Sequence, residues 1–345
     1  MKYLSRSFGP QIIVGLVGGL VLTLLFLWLA IAGSAVPQTP HNVPVAAVGP
    51  GPAVTQLAAR LQRGGFHVIA TPTDAKAVDL VQTRNADAII NLDTRQLQTA
   101  QAASPPAARV LPQALAALHL HTTDIKPLAP GDPIGLGLMF ISLASVVGGI
   151  SSGVALTLLL TNRRPASLAD AGRRLLLIAV FCGLQALLIA AVAGGVLGYR
   201  GTQLLTVWAF SSLLSAAAMA TTVAFTAALG LFGVLVSAVP MMFFGVPASP
   251  LPSPWNWQPA AFRVLGPFGP FGAATNGTIN GIFFPQASQA QNLWVLLGLW
   301  IGVPVLLLLG LGWQNQRASS LAAGKPDGTG TAAEMEGLPN PRVTT

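Results

Sequence analysis

The chain has 345 residues, of which 52% are hydrophobic and only 8% charged, and its mean hydropathy is +0.65. A soluble domain carries about 25% charged residues, so this composition excludes an ordinary soluble protein and turns much of the surface toward lipid. The net charge of +8 would suit nucleic acid, but the basic residues flank apolar runs instead of forming one stripe, which argues against that partner.

Apolar windows of about 18 or more residues recur, the length that crosses a roughly 30 Å hydrocarbon core. They predict a polytopic α-helical membrane protein with six transmembrane helices and a small extracytoplasmic α/β domain between helices 1 and 2. Residues 1–36 are read as a cytoplasmic N-terminus and transmembrane helix 1. The apolar run 11–33 follows Lys2 and Arg6 and is longer than the roughly 7–15 residues of a signal-peptide core, so it is expected to stay uncleaved.

Residues 37–132 differ in composition. Six of the ten acids and all four histidines (His41, His67, His119, His121) fall here. VPVAAVG, FHVIAT and ADAIINL read as short strands, and AVTQLAARLQRGG and DAKAVDLVQTRN as helices, with Gly64 and Gly65 as a stop and Asp74 near a cap. This alternation implies a small α/β domain with some parallel pairing. AASPPAAR reads as a turn or loop, and ALAALHLHTTDI leads back to the membrane.

Residues 133–314 hold transmembrane helices 2–6, expected near 133–160, 173–198, 203–222, 224–245 and 292–313. The 42 residues from 204 to 245 carry no charge, which suits a tight helical hairpin, its turn placed near MATTVAFT. Pro240 and Pro304 are expected to kink their helices. A polar tail, 315–345, is expected to be a disordered cytoplasmic segment.

Charge placement sets the expected orientation. With the N-terminus in the cytoplasm, the short inside segments hold nine basic residues: Lys2, Arg6, Arg163, Arg164, Arg173, Arg174, Arg317, Lys325 and Arg342. The short outside loops hold only Arg200 and Arg263, a bias that places both termini in the cytoplasm. Four lysines against fourteen arginines, with abundant Ala, Gly and Pro, suggest a GC-rich bacterial genome, hence a multi-pass protein of the bacterial inner (plasma) membrane.

Between residues 133 and 313 there is one carboxylate, Asp170, and no histidine or lysine. Ion-coupled carriers use ionisable groups at membrane depth, so a self-contained proton antiporter is not expected. The sequence has no phosphate-binding loop, nucleophile elbow or HExxH. No catalytic residue, cofactor or metal site is assigned, and the chain is not read as an enzyme. His119 and His121 would share a strand face, but two imidazoles without a third ligand make a weak metal site. Cys182, the single cysteine, reads as a small buried hydrophobe.

Small residues recur at four-residue spacing, Ser145, Gly149 and Gly153 in one helix and Gly15 with Gly19 in the first. Such faces allow close helix packing, within the chain or between copies. Residues 247–291 are rich in Gly, Pro and aromatics. Trp255, Trp257, Phe262, Phe268, Phe271, Phe283 and Phe284 would suit the outer membrane–water interface, and short helices that dip in and return are expected there. A plain surface loop with aromatic anchors is the simpler alternative. The NGT sequon at Asn276 is read as incidental.

One helix, a large outer α/β domain and five further helices, with NVPVAAVGPG opening the domain and RVLGPFGPFGAATNGTINGIFF before the last helix, resemble type-2 ABC exporter permeases. The layout is most similar to YhgE/Pip-like membrane proteins, over nearly the whole chain. The resemblance implies a permease subunit, homodimeric or paired with a related permease. It would move a hydrophobic or amphiphilic substrate outward with a separately encoded ATPase. It also implies that the cytoplasmic loop 161–172 and its flank (Arg163, Arg164, Ser167, Asp170, Arg173, Arg174) couple to that ATPase, PASLADAG forming a short helix capped by Ser167. The same arginines would equally hold the topology and bind anionic headgroups. The seven aromatics of 247–291 would form an outer gate. The competing expectation is a non-transporting envelope protein whose outer domain binds a partner or cell-wall component.

Overall fold

The computed structural model describes residues 39–160, 162–251 and 253–323. Of the expected first transmembrane helix only Val21, Leu24, Leu25, Leu27 and Trp28 are described, all helical and exposed. The rest of that segment, Gly15 and Gly19 with it, and residues 324–345 lie outside the described residues.

The alternating pattern of the N-terminal region folds as an α/β sheet: β1 (Val43–Val48), α1 (Gly51–Gln62), β2 (Phe66–Ala70), α2 (Asp74–Gln82), β3 (Ala88–Asn91), β4 (Gln96–Thr99), α3 (Pro105–Ala114) and β5 (His121–Asp124). Strand order is β2-β1-β3-β4-β5. β1 pairs in parallel with β2 and β3, β4 runs antiparallel to β3, and β5 is parallel to β4.

Two expectations change here. AASPPAAR is a turn only as far as Ser104, and from Pro105 it is the start of α3. Ser104 caps the helix, accepting from the Ala107 N–H, and Pro105 and Pro106 fill the first turn, where a missing N–H costs nothing. His119 and His121 do not share a strand face: His119 has a left-handed backbone (φ 49°) before β5, and only His121 lies in the strand.

The period-2 alternation of the strands separates two cores. Val43, Val45 and Ala47 face α1 and α3, where Val54, Leu57, Leu61, Leu111 and Leu115 complete one apolar layer. Ala46, Val48 and Ile89 face the other way and join α2 residues Ala77 and Val81. That second layer does not stop at the domain. It runs on into Leu128, Leu138, Tyr199, Ile279 and Phe284, so the sheet rests on the end of the helical bundle and shares a core with it.

The bundle consists of α4 (Leu136–Leu159), α5 (Leu168–Val192), α6 (Thr202–Leu229), α7 (Phe232–Ala238), α8 (Ala260–Leu265), α9 (Pro270–Phe283), α10 (Ala290–Leu293) and α11 (Val303–Ala323). Wider π-type turns extend α5 to Leu197, extend α7 to Phe244, and join α10 to α11 through Trp294–Gly302. Helix α6 is central, packing against α4, α5, α7, α9 and α11. Ser145, Gly149 and Gly153 of α4 are buried. A Cβ on Gly149 would lie 2.6 Å from the Ser215 carbonyl oxygen, and one on Gly153 2.9 Å from Thr222, so this small-residue stripe serves packing within the chain.

Among the described residues, four helices are long and apolar enough to cross a membrane: Leu136–Leu159, Leu168–Leu197, Thr202–Leu229 and Ala290–Leu321. The protein is thus a membrane-type helical assembly carrying a small α/β domain. The expected hairpin turn at MATTVAFT is not there, since α6 runs straight through that stretch. Thr221 and Thr222 return their hydroxyls to the carbonyls of Ala217 and Ala218, four residues back, and no residue there favours a break. The chain turns instead at Gly230, whose φ of +67° suits glycine alone. The second arm, Phe232–Phe244, is consequently short, roughly 20 Å at about 1.5 Å per residue.

The proline expectations take a specific form. Pro304 cannot donate to the carbonyl of Trp300; the Thr221 hydroxyl, whose shorter bond is to the Ala217 carbonyl (2.6 Å), lies 3.3 Å from it as the weaker branch of a shared hydrogen bond. Residues 315–323, expected to begin a disordered tail, are the last turns of α11. Asn315 donates to the Pro165 carbonyl (2.8 Å) and the Gln316 side chain accepts from the Leu168 N–H (3.3 Å), which ties the helix end to the turn before α5.

Candidate functional site

The α/β domain meets the bundle around one side chain. Arg84 follows α2 with a left-handed backbone (φ 59°), a conformation that an arginine adopts at a cost of about 1 kcal/mol. That geometry sends its guanidinium across the junction. Nη1 donates to Asn276 Oδ1 (2.6 Å) and Asn280 Oδ1 (2.7 Å), one helical turn apart on α9, and the group stands 5.5 Å from the centre of the Phe284 ring. Lys126 approaches the same ring at 5.6 Å.

Asp87, at the entry to β3, is 8% exposed. Burial pushes its carboxyl above the usual 3.8, while the Arg84 charge and hydrogen bonds from Asn256 and Ser104 pull it back. Burial likewise lowers Arg84, with Asp87 opposing.

These groups open on a cavity of about 440 Å³ between the domain and the loop preceding α9. Arg84, Asp87, Trp255, Asn256, Arg263 and Asn276 line it, with prolines from both sides. Asp87 Oδ2 and Arg263 Nη1 are each shielded from solvent with no hydrogen-bond partner among the described residues. Composition and spacing single out none of Arg84, Asp87 and Asn280 as site residues, and Arg263 only as a charge in an outer loop. The available signal was a pair of asparagines four apart on an otherwise apolar helix, a costly arrangement unless something meets them.

The seven aromatics of 247–291 are dispersed. Trp257 is buried in the sheet's first core, edge-on to Phe66 at 5.9 Å. Phe262 is buried beside Phe244 at 5.4 Å. Phe271 is fully enclosed within the bundle, and Phe284 is buried at the junction with the half-buried Phe283 packed against the same core. Trp255 is half-buried and donates its Nε1 hydrogen to the Ala248 carbonyl (2.8 Å). Only Phe268, at 49%, is well exposed. An interfacial anchor keeps its ring in the headgroup layer, so four of these rings serve packing instead. The segment itself is made of short helices, and α9 is buried along most of its length.

At the far end of α4 lies the arginine turn. Ser167 caps α5, its hydroxyl accepting from the Asp170 N–H (3.2 Å), while Asp170 accepts from the Ala166 N–H (3.0 Å); α5 therefore starts five residues before the expected Arg173. Arg174, 2% exposed, is the clasp of this turn. It donates to the carbonyls of Arg163 (2.6 Å), Asn162 (2.9 Å) and Arg164 (3.3 Å) and to Asp170 Oδ2 (2.9 Å). Arg163, Arg164 and Arg173 are exposed. The four arginines are thus one internal brace and three outward charges on a turn that the brace holds in shape.

A third feature is an apolar cleft of about 480 Å³ between α4 and α5, walled by residues such as Phe140, Ile141, Leu188, Val192 and Leu197. No family model matches the chain, and no curated protein and no solved structure matches it either.

Proposed function

We propose that the chain is the permease subunit of an exporter that moves a hydrophobic or amphiphilic substrate outward, powered by a separately encoded ATPase. The observation that carries this reading is a bundle segment without histidine, lysine or glutamate. From residue 133 to 313 the only carboxylate is Asp170, and it is occupied by Arg174 in a turn at the bundle's end. Nothing at membrane depth can store or relay a proton, so work on a solute needs energy from another polypeptide. The apolar cleft between α4 and α5 suits a greasy cargo entering from the side. The braced turn with Arg163, Arg164 and Arg173 outward is a firm cationic surface for an acidic face of the ATPase. In this reading the turn is cytoplasmic and the α/β domain outside, in a bacterial inner membrane, and two permease chains pair.

The test keeps the brace intact. Mild solubilisation should retain an ATPase on the wild-type chain, and the triple variant R163E/R164E/R173E should release it while its melting temperature stays unchanged. Failure of any ATPase to co-purify, or pH-driven solute uptake by the pure chain alone in vesicles, overturns the proposal.

A further inference from the structure

Two oppositely charged side chains of the junction cavity, Asp87 and Arg263, each keep one buried polar atom unpaired. Asp87 Oδ2 and Arg263 Nη1 are both shielded from solvent and lack a hydrogen-bond partner among the described residues, and both residues line the cavity. They do not pair with each other, since the ion pairs among the described residues are Lys76–Asp79 and Arg174–Asp170. Asn256, Ser104 and the Arg84 charge already serve the Asp87 carboxyl in part, but a buried polar atom left without a partner is still unfavourable. A ligand that brings an acceptor to one atom and a donor to the other relieves both.

We propose that this cavity binds a compact zwitterion, its acidic oxygen on Arg263 and its primary ammonium on Asp87. A simple anion would answer Arg263 and leave Asp87 facing a like charge; a simple cation would do the reverse. Arg84 Nη1 is already committed to Asn276 and Asn280, so the unpaired buried donor in the lining is that of Arg263. The amides of Asn256 and Asn276 and the Trp255 ring supply a neutral lining. About 440 Å³ accommodates a headgroup-sized molecule and not a polymer.

Asp87 needs an N–H donor, so a quaternary ammonium such as choline does not satisfy it. Two sources carry the chemistry: a free amino acid or phosphoethanolamine in water, and the ethanolamine headgroup of a phospholipid. Next to Arg263, Val264 and Leu265 are 60% and 53% exposed, an apolar flank against which acyl chains can lie. The site does not depend on an ATPase partner, so the co-purification result above leaves it untouched.

The full chain, in phosphatidylcholine nanodiscs doped with phosphatidylethanolamine or phosphatidylglycerol, is examined for retained lipid by native mass spectrometry. O-phosphoethanolamine is titrated separately against its tryptophan fluorescence. The ethanolamine headgroup, as lipid or soluble ester, should bind about tenfold or more tightly than its choline and glycerol counterparts, the effect of one charge-assisted hydrogen bond. D87N and R263Q should each weaken it by a similar factor, and R263K should recover part of the loss. Retention of the lipid alone assigns the bilayer as source, and response to the soluble ester alone assigns the aqueous pool; either supports the site. Equal affinity for the three headgroups, retention of none of the probes, or undiminished binding by a folded D87N overturns it. Should D87N not fold, the headgroup preference of the wild type decides.

Discussion

At the scale of single residues, the four arginines between 163 and 174 show how little composition says about role. Arg174 is wrapped by three carbonyls and a carboxylate, while its three neighbours in the cluster face outward. Removing a buried guanidinium strands the groups it satisfied, whereas removing an exposed one changes little. Arg174→Gln is therefore expected to destabilise the protein by about 2–4 kcal/mol. Arg164→Gln should stay within about 0.5 kcal/mol of wild type. Thermal or denaturant unfolding of both variants in detergent checks the contrast; equal losses would mean that the brace contributes nothing. Arg84 makes a related point. Its left-handed backbone disfavours a side chain, yet only a long cation at that corner reaches both asparagines of α9, so the local strain persists because the junction over-determines it.

At the scale of elements, the bundle is organised by how closely helices approach α6. Gly149 is pressed on the Ser215 backbone and the Ala218 methyl, whereas a Cβ on Gly172 of α5 would meet nothing within 4 Å. Gly149→Val must push α4 and α6 apart and should cost about 2–3 kcal/mol, in the range of overpacked cores. Gly172→Ala adds a better helix former in open space and should stabilise by about 0.4–1 kcal/mol. Melting temperatures of the two variants should therefore move in opposite directions, and a shift of the same sign in both would contradict the packing described. The same closeness brings the Thr221 hydroxyl of α6 within 3.3 Å of the Trp300 carbonyl that Pro304 leaves without a donor, although its shorter bond is to Ala217 in its own helix.

At the scale of the whole molecule, the α/β domain and the bundle are coupled through Asp87, Arg84 and the shared apolar layer. Burial raises the Asp87 carboxyl above its usual 3.8, so the folded chain holds that proton more tightly than the unfolded chain. The resulting stabilisation is complete below the unfolded value and is lost as pH rises through the raised folded value, after which it is flat. The melting temperature of the wild type should thus fall across the window just above pH 3.8, and D87N should lack that step. A step that survives in D87N would assign it to another group.

Much of the architecture was legible in the residues themselves. Apolar run length marks a membrane protein and strand–helix alternation marks the α/β domain, because each is a local pattern of burial; Ser167 was legible as a cap, but of a short separate helix, whereas the structure runs that turn directly into α5. The Pro-Pro start of α3 was legible too, once proline is read as a first-turn residue instead of a breaker. The turn at Gly230 was not. Several weak breakers compete within an uncharged run, and packing against α4 and α5 selects the one that leaves α6 unbroken.

Nor was the junction cavity legible. Its charged and amide groups come from positions 84, 87, 256, 263, 276 and 280, separated by up to 196 residues. No period or spacing links them. Their neighbourhood exists because the apolar layer on the second face of the sheet runs past α2 and onto the end of the bundle. Amino-acid type determined what each segment would bury; tertiary packing alone decided which buried groups would face each other.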